Sequence, residues 1–288
     1  AAMRDTLPRN RLSAIEIPPI ARDSTSGSFT VEGTARGNIE RANVVATVET
    51  PGLVWNGNLF GVGTVKADWR GALTDADTIL VVGGVDSVRV AGFAFDSTEF
   101  KGDYRGGEGN AVVTLFPGDT ASYRFDTDFA LRAGEGELRL RDVDIQLDST
   151  HWRSVHPSVV SWREQGIRID SLDLRDEGAR SRLLVHGEIP DVDAGRVEVL
   201  AENVRIGPWL TIAQSNVKAD GLLSSTLTLE GIKSAPRLDG TIRLTDMQYE
   251  GTPFPDVQAT LAYAARELTV EAFARNREGR QLAQITGT

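Results

Sequence analysis

Between Gly221 and Ala274 the chain alternates, and few folds tolerate that pattern over so long a stretch. Leu223, Ser225, Leu227 and Leu229 share one parity; Leu222, Ser224, Thr226 and Thr228 share the other. After a turn from Gly231 to Pro236, Leu238, Gly240, Ile242 and Leu244 fall together, with Asp239, Thr241, Arg243 and Thr245 opposite. Val257, Ala259, Leu261 and Tyr263 follow, then Leu268, Val270, Ala272 and Ala274. Successive side chains of a strand point to opposite faces, so each run has one apolar side and one wet side. Four such runs joined by short turns predict an antiparallel sheet with one greasy face.

The same reading extends along the chain. Residues 1–27, broken by Pro8, Pro18 and Pro19, read as a connector with a short strand at Ala14–Ile17. From Ser28 onward strands are expected, with a turn at Gly33–Gly37 and a break at the GGVD of 83–86. In Leu138–Leu147 the apolar parity switches between Leu140 and Val143, and again between Ile169 and Leu172 in the next long run. A parity switch marks a bulge, and bulges bend sheets. Pro208–Asn216 is the one plausible helix, with Pro208 near its start and Trp209, Ile212 and Ala213 on one face. The count comes to about eighteen strands, or a sheet of about 85 Å, more than ordinary twisted sheets reach without curling. The expected class is all-β: a long, strongly curved, mainly antiparallel sheet with an apolar groove and one short helix.

Composition narrows the function. The 288 residues carry a formal charge of −10, from 31 basic and 41 acidic residues. An acidic surface repels phosphate backbones, which argues against nucleic acid as a partner. There is no cysteine, so disulfides, thiol catalysis and cysteine-zinc sites are excluded. No apolar run approaches the ~18 residues of a membrane-spanning helix. The start has no apolar signal segment and the end stops in a strand pattern. The expectation is a piece of something longer.

The phrasing of Gly221–Leu244 (LTLEG, a loop, Pro236, then LDGTIRL) and the run DMQYEG…FPDVQATLAY…ELTVEA resemble the TamB family, itself loosely related to AsmA-like proteins. LRLRDVDIQLD, HWRSVHP, GIRIDSLDL and LLVHGEIP make a second match, and TARGNIERANV with LVWNGNL a third. Together they cover most of residues 28–288. The resemblance implies a β-taco, a sheet folded around an apolar groove. It implies a periplasmic bridge anchored in the inner membrane through a segment not present here. Such a bridge carries phospholipid acyl chains to the outer membrane. It also serves outer-membrane protein assembly with a TamA-like barrel as partner. On this resemblance the groove is lined by Leu223, Leu227, Leu229, Leu238, Ile242, Leu244, Val257, Leu261, Tyr263, Leu268 and Val270. On pattern alone, these faces fit a sandwich core better than a lipid groove; the resemblance reverses that order.

No catalytic cluster, metal site or cofactor motif stands out. His151 and His156 flank Trp152 with Asp148 nearby, but with His186 the histidines are scattered, and solvated turns account for them. Asp142, Asp144 and Asp148 read as a wet outer face. GVGTVK at Gly61 has Lys66 where a dinucleotide fingerprint needs glycine, and no helix after it. The expectation is therefore not an enzyme. The competing readings are an outer-membrane β-barrel and an extracellular β-solenoid, either scaffold or polysaccharide-active enzyme. Too few aromatic residues for interfacial girdles disfavour the first, and irregular spacing of the phrases disfavours the second.

Overall fold

The computed structural model describes residues 25–38, 41–72, 77–90, 92–147, 150–163, 166–190, 194–213, 215–232, 235–265, 267–276 and 279–287. They form 20 strands and one helix. The first half comprises β1 (Thr25–Asn38), β2 (Arg41–Trp55), β3 (Asn58–Phe60), β4 (Gly63–Ala72), β5 (Thr78–Val90), β6 (Phe93–Arg105), β7 (Glu108–Gly118), β8 (Ala121–Arg132) and β9 (Glu135–Leu147). The second half comprises β10 (Thr150–Ser154), β11 (Ser158–Arg163), β12 (Gly166–Asp176), β13 (Ser181–Pro190), β14 (Gly195–Arg205), α1 (Ile206–Ile212), β15 (Ala219–Ile232), β16 (Ala235–Tyr249), β17 (Thr252–Pro253), β18 (Asp256–Ala264), β19 (Glu267–Arg275) and β20 (Gln281–Gly287).

All the strands belong to one sheet, and every pairing is antiparallel. The chain is a meander in which each rung lies beside the next one in sequence. Three rungs are shared by two strands each: β3 with β4, β10 with β11, and β17 with β18. The 20 strands therefore make 17 rungs. At ~4.8 Å per rung the sheet runs about 80 Å. Among the described residues β1 pairs only with β2 and β20 only with β19, so both ends of the sheet are open edges. Among the described residues neither a closed barrel nor the parallel stacking of a solenoid is formed.

The all-β class and the single helix agree with the sequence reading; several boundaries differ. β1 begins at Thr25, so Thr25, Ser26 and Gly27 are in the sheet and not in a connector. The rest of 1–27, including the expected strand at Ala14–Ile17, lies outside the described residues. No turn occurs at Gly33–Gly37, because glycine there serves close approach: a Cβ on Gly33 would meet the Val45 carbonyl at 2.5 Å. β5 likewise runs through 83–86 without a break. A Cβ on Gly83 would lie 2.8 Å from the Phe100 ring, so glycine there makes room for an aromatic on the next rung. The helix is Ile206–Ile212 and not Pro208–Asn216, and Ala213 is exposed beyond it.

Bulges, which bend sheets, cluster in the middle of the meander. β9 is bulged at Arg141 and β12 at Asp170–Ser171, as the two parity switches predict. The rung between them breaks at the same level, where Val155–Pro157 separates β10 from β11. Three adjacent rungs are thus irregular at one level. Further bulges lie at Glu202–Asn203 of β14 and Asp246–Met247 of β16. Asn203 and Asp246 take φ of 51°, the left-handed conformation that bulges use and that such short polar residues tolerate.

Candidate functional site

Residues directly opposite on neighbouring strands share a face, so register identifies every side chain that lines one side of the sheet. One row starts at Val31 and passes through Val48, Val65, Gly83, Phe100, Val113, Phe125 and Val143. Val143 donates its N–H to Ser154 Oγ at 2.9 Å, and Ser154 faces Leu174. The row continues through Leu183, Ala201, Ser225, Ile242, Ala259, Ala272 and Ile285. It crosses all 17 rungs without a charged residue. The bulges preserve it: in β9, β12 and β14 the apolar set changes parity where the register does, so the greasy side stays on one face.

The eleven residues expected to line a groove all lie on this face. Leu229, Leu238, Tyr263 and Leu268 make one row beside the long one; Leu227, Gly240, Leu261 and Val270 make another. Leu223, Leu244 and Val257 make a third, and Ile242 sits in the long row itself. None of the eleven is buried, and Leu268 is 46% exposed. From β15 to β19 the sheet does not seal this face with its own side chains, as a sandwich would. Among the described residues only ten hydrophobic side chains are buried. Eight of them form one cluster: Tyr123, Val143, Ile145, Leu147, Trp152, Leu174, Ala201 and Val204.

That cluster lies under α1. Trp209 and Ile212 of the helix pack on it, and the Trp209 and Trp152 rings meet edge to face with centroids 5.4 Å apart. Trp152 is only 2% exposed. Phe95 meets Tyr123 in a second edge-to-face pair at 6.4 Å. Burial pushes the Tyr123 phenol up from its usual range. Tyr123 Oη, Trp209 Nε1, Ser158 Oγ and Thr98 Oγ1 are buried without a protein hydrogen-bond partner, at a cost of about 1–3 kcal/mol each.

The opposite face is charged, and its charges are paired across rungs. Arg168, Glu188, Arg196, Glu230 and Arg237 face one another in succession across five strands. Arg196 Nη1 lies 3.2 Å from Glu230 and Arg196 Nη2 2.6 Å from Glu198. These residues border a hollow of about 950 Å³ with Asp170 and His186, a balanced ladder without a nucleophile. The histidines are spread over this side and not gathered. His151 Nε2 lies 2.9 Å from Asp144, His186 Nε2 lies 3.2 Å from Glu198, and His156 Nδ1 lies 3.1 Å from the Pro157 carbonyl. Asp144 is also held by Arg153 at 3.1 Å, and Asp126, across from Asp142, is bonded by Arg141. Asp148 lies outside the described residues. No group of three or more His, Cys, Asp or Glu that could hold a metal occurs among the described residues. Sequence reasoning missed the Trp152–Trp209 contact. Its only signal was the two tryptophans themselves, far apart in the chain.

No helix among the described residues is long and apolar enough to cross a membrane. Comparison with protein-family models, curated proteins and solved structures finds no significant match to this chain.

Proposed function

We propose that the apolar face conducts lipid: it is a stretch of a bridge along which phospholipid acyl chains slide while their headgroups stay in water. One observation carries the reading, the uncharged row that crosses all 17 rungs on a face left half-open. An exposed methylene costs ~0.8 kcal/mol in water, so a sixteen-carbon chain faces a barrier of about 13 kcal/mol when it leaves a bilayer bare. A continuous greasy surface about 80 Å long removes most of that cost over its length. Exposed apolar area of this extent on a chain with a well-paired polar face marks a binding surface. The resemblance of the sequence to the TamB family supports reading such a bridge as periplasmic and anchored to the inner membrane. Its partners would be phospholipid and a TamA-like outer-membrane barrel, with a link to outer-membrane protein assembly. No catalysis or cofactor is assigned.

The test is extraction. The chain, purified without detergent, yields phospholipid to organic solvent, read by mass spectrometry. Leu244→Arg places a cation beside Leu223 and Val257 on the apolar face and reduces the yield with the strand content unchanged by circular dichroism. A wild-type extract free of phospholipid refutes the reading.

A further inference from the structure

We infer that α1 is a gate on the apolar face, seen here closed. This rests on the lipid-conducting reading and goes beyond it by assigning a point of control. The helix is the one element outside the sheet among the described residues, and it lies on the face that would carry lipid. Under it the face changes character: Trp152, Leu147, Leu174 and Val204 are sealed, while the rungs from β15 to β19 keep their apolar side chains half-exposed. An acyl chain moving along the row meets this seal between Val143 and Ala201.

The closed position is weakly held. α1 has seven residues, no side-chain N-cap, no acid in its first turn, no base in its last, and no buried residue of its own. A helix that short has little stability apart from its docking. Its docking residue, Trp209, buries an indole N–H that finds no partner. That group opposes closure while the Trp152–Trp209 contact favours it. The balance makes two positions accessible at modest free-energy difference. The hold at its base is thin: Arg205 Nε donates to Asp220 Oδ2 at 2.9 Å between β14 and β15, but the helix itself reaches Asp220 Oδ1 through the Gly207 N–H at a long 3.4 Å, so opening parts Gly207 from Asp220. The far end is tied: Ser215 donates its N–H to the Leu210 carbonyl at 2.9 Å, and the Lys218 carbonyl accepts from the Glu250 N–H at 2.8 Å, so the base is the end that lifts.

A lock tests this. The chain has no cysteine, so Gly207→Cys with Asp220→Cys adds the only thiols. A Cβ at position 207 would lie 3.3 Å from Asp220 Cγ, close to the roughly 3 Å between Cβ and the partner sulfur in a disulfide. Transfer of fluorescent phosphatidylethanolamine between phosphatidylcholine vesicles is measured with the double variant oxidised and reduced, beside Asp220→Cys alone. Oxidation is expected to cut transfer to the level of the unoxidised fraction, reduction to restore it, and Trp209→Ala to raise it above wild type. Equal transfer oxidised and reduced, with phospholipid still extractable from both, overturns the gate and leaves the conducting face standing. A protein from which no lipid is extracted and which transfers none refutes the conducting face, and the gate falls with it.

Discussion

Asp173 on β12 is the most deeply buried carboxylate that bridges two cations, and replacing it tests how the polar face is held. Its side chain is 5% exposed. Arg182 donates through Nε at 3.0 Å and Nη2 at 2.8 Å, and Arg175 through Nε at 3.4 Å and Nη2 at 3.2 Å. Burial alone would raise the carboxyl, but the hydrogen bonds from Arg182 and then Arg175 outweigh it and hold Asp173 below its usual range. Asp173→Asn keeps the shape and removes the charge. Charge-assisted bonds contribute about 1.5–3 kcal/mol each, but Arg175 is half in water and its share falls toward that of a surface pair. The expected loss at neutral pH is about 2 kcal/mol, most of it from Arg182. Because the folded value is depressed, this stabilisation is fully present above the unfolded value near pH 4 and is lost as pH falls through the lower folded value. The loss is local, since each rung touches only its neighbours. Hydrogen exchange of the β12–β13 amides at neutral and acid pH reads it. A gap under about 0.5 kcal/mol at neutral pH, the size of an ordinary surface substitution, refutes the argument. So does a gap that persists undiminished in acid.

Three further expectations follow. Leu244→Arg keeps its fold, because its side chain is half-exposed and the cation reaches solvent; a urea midpoint far below wild type would show that the face is a sealed core after all. Gly136→Ala places a methyl onto the Trp162 ring on the facing strand, so it should cost about 1–3 kcal/mol of overpacking, recovered in part by adding Trp162→Leu; no loss would mean the ring moves freely. Phe29 and Val31 on β1 and Leu282 and Ile285 on β20 are exposed on open edges, Ile285 at 66%, so Val31→Lys with Ile285→Lys should suppress concentration-dependent association in light scattering, and unchanged association would exonerate the edges.

Two-residue periodicity made most of this fold legible from the residues. The rows through Leu229, Leu227 and Leu223 could be drawn before any coordinates because strand parity is rigid, and the bulges in β9 and β12 announced themselves as parity switches. β14 carries the same signal between Ala201 and Val204, which a reader of the sequence could equally have used. Glycine misled. Gly33 and Gly83 look like turn residues, yet each sits inside a strand where a neighbouring backbone or ring comes close, a fact about the next rung that no local pattern contains. β6 carries a weaker signal, because Thr98, Phe100, Gly102 and Tyr104 mix polar, aromatic and absent side chains on one face. The helix was placed by Pro208, but its role was not legible: only folding brings Trp209 onto Trp152.

The meander has a consequence for how such a chain is made and remade. Every hydrogen-bonded neighbour in space is a neighbour in sequence, so a hairpin can close as soon as its two strands leave the ribosome, without waiting for a distant partner. Removing or duplicating one hairpin would shorten or lengthen the ribbon by about 10 Å and leave the greasy row in register on either side. Span thus becomes a property that genetic change can adjust in fixed steps, with no redesign of what lies between.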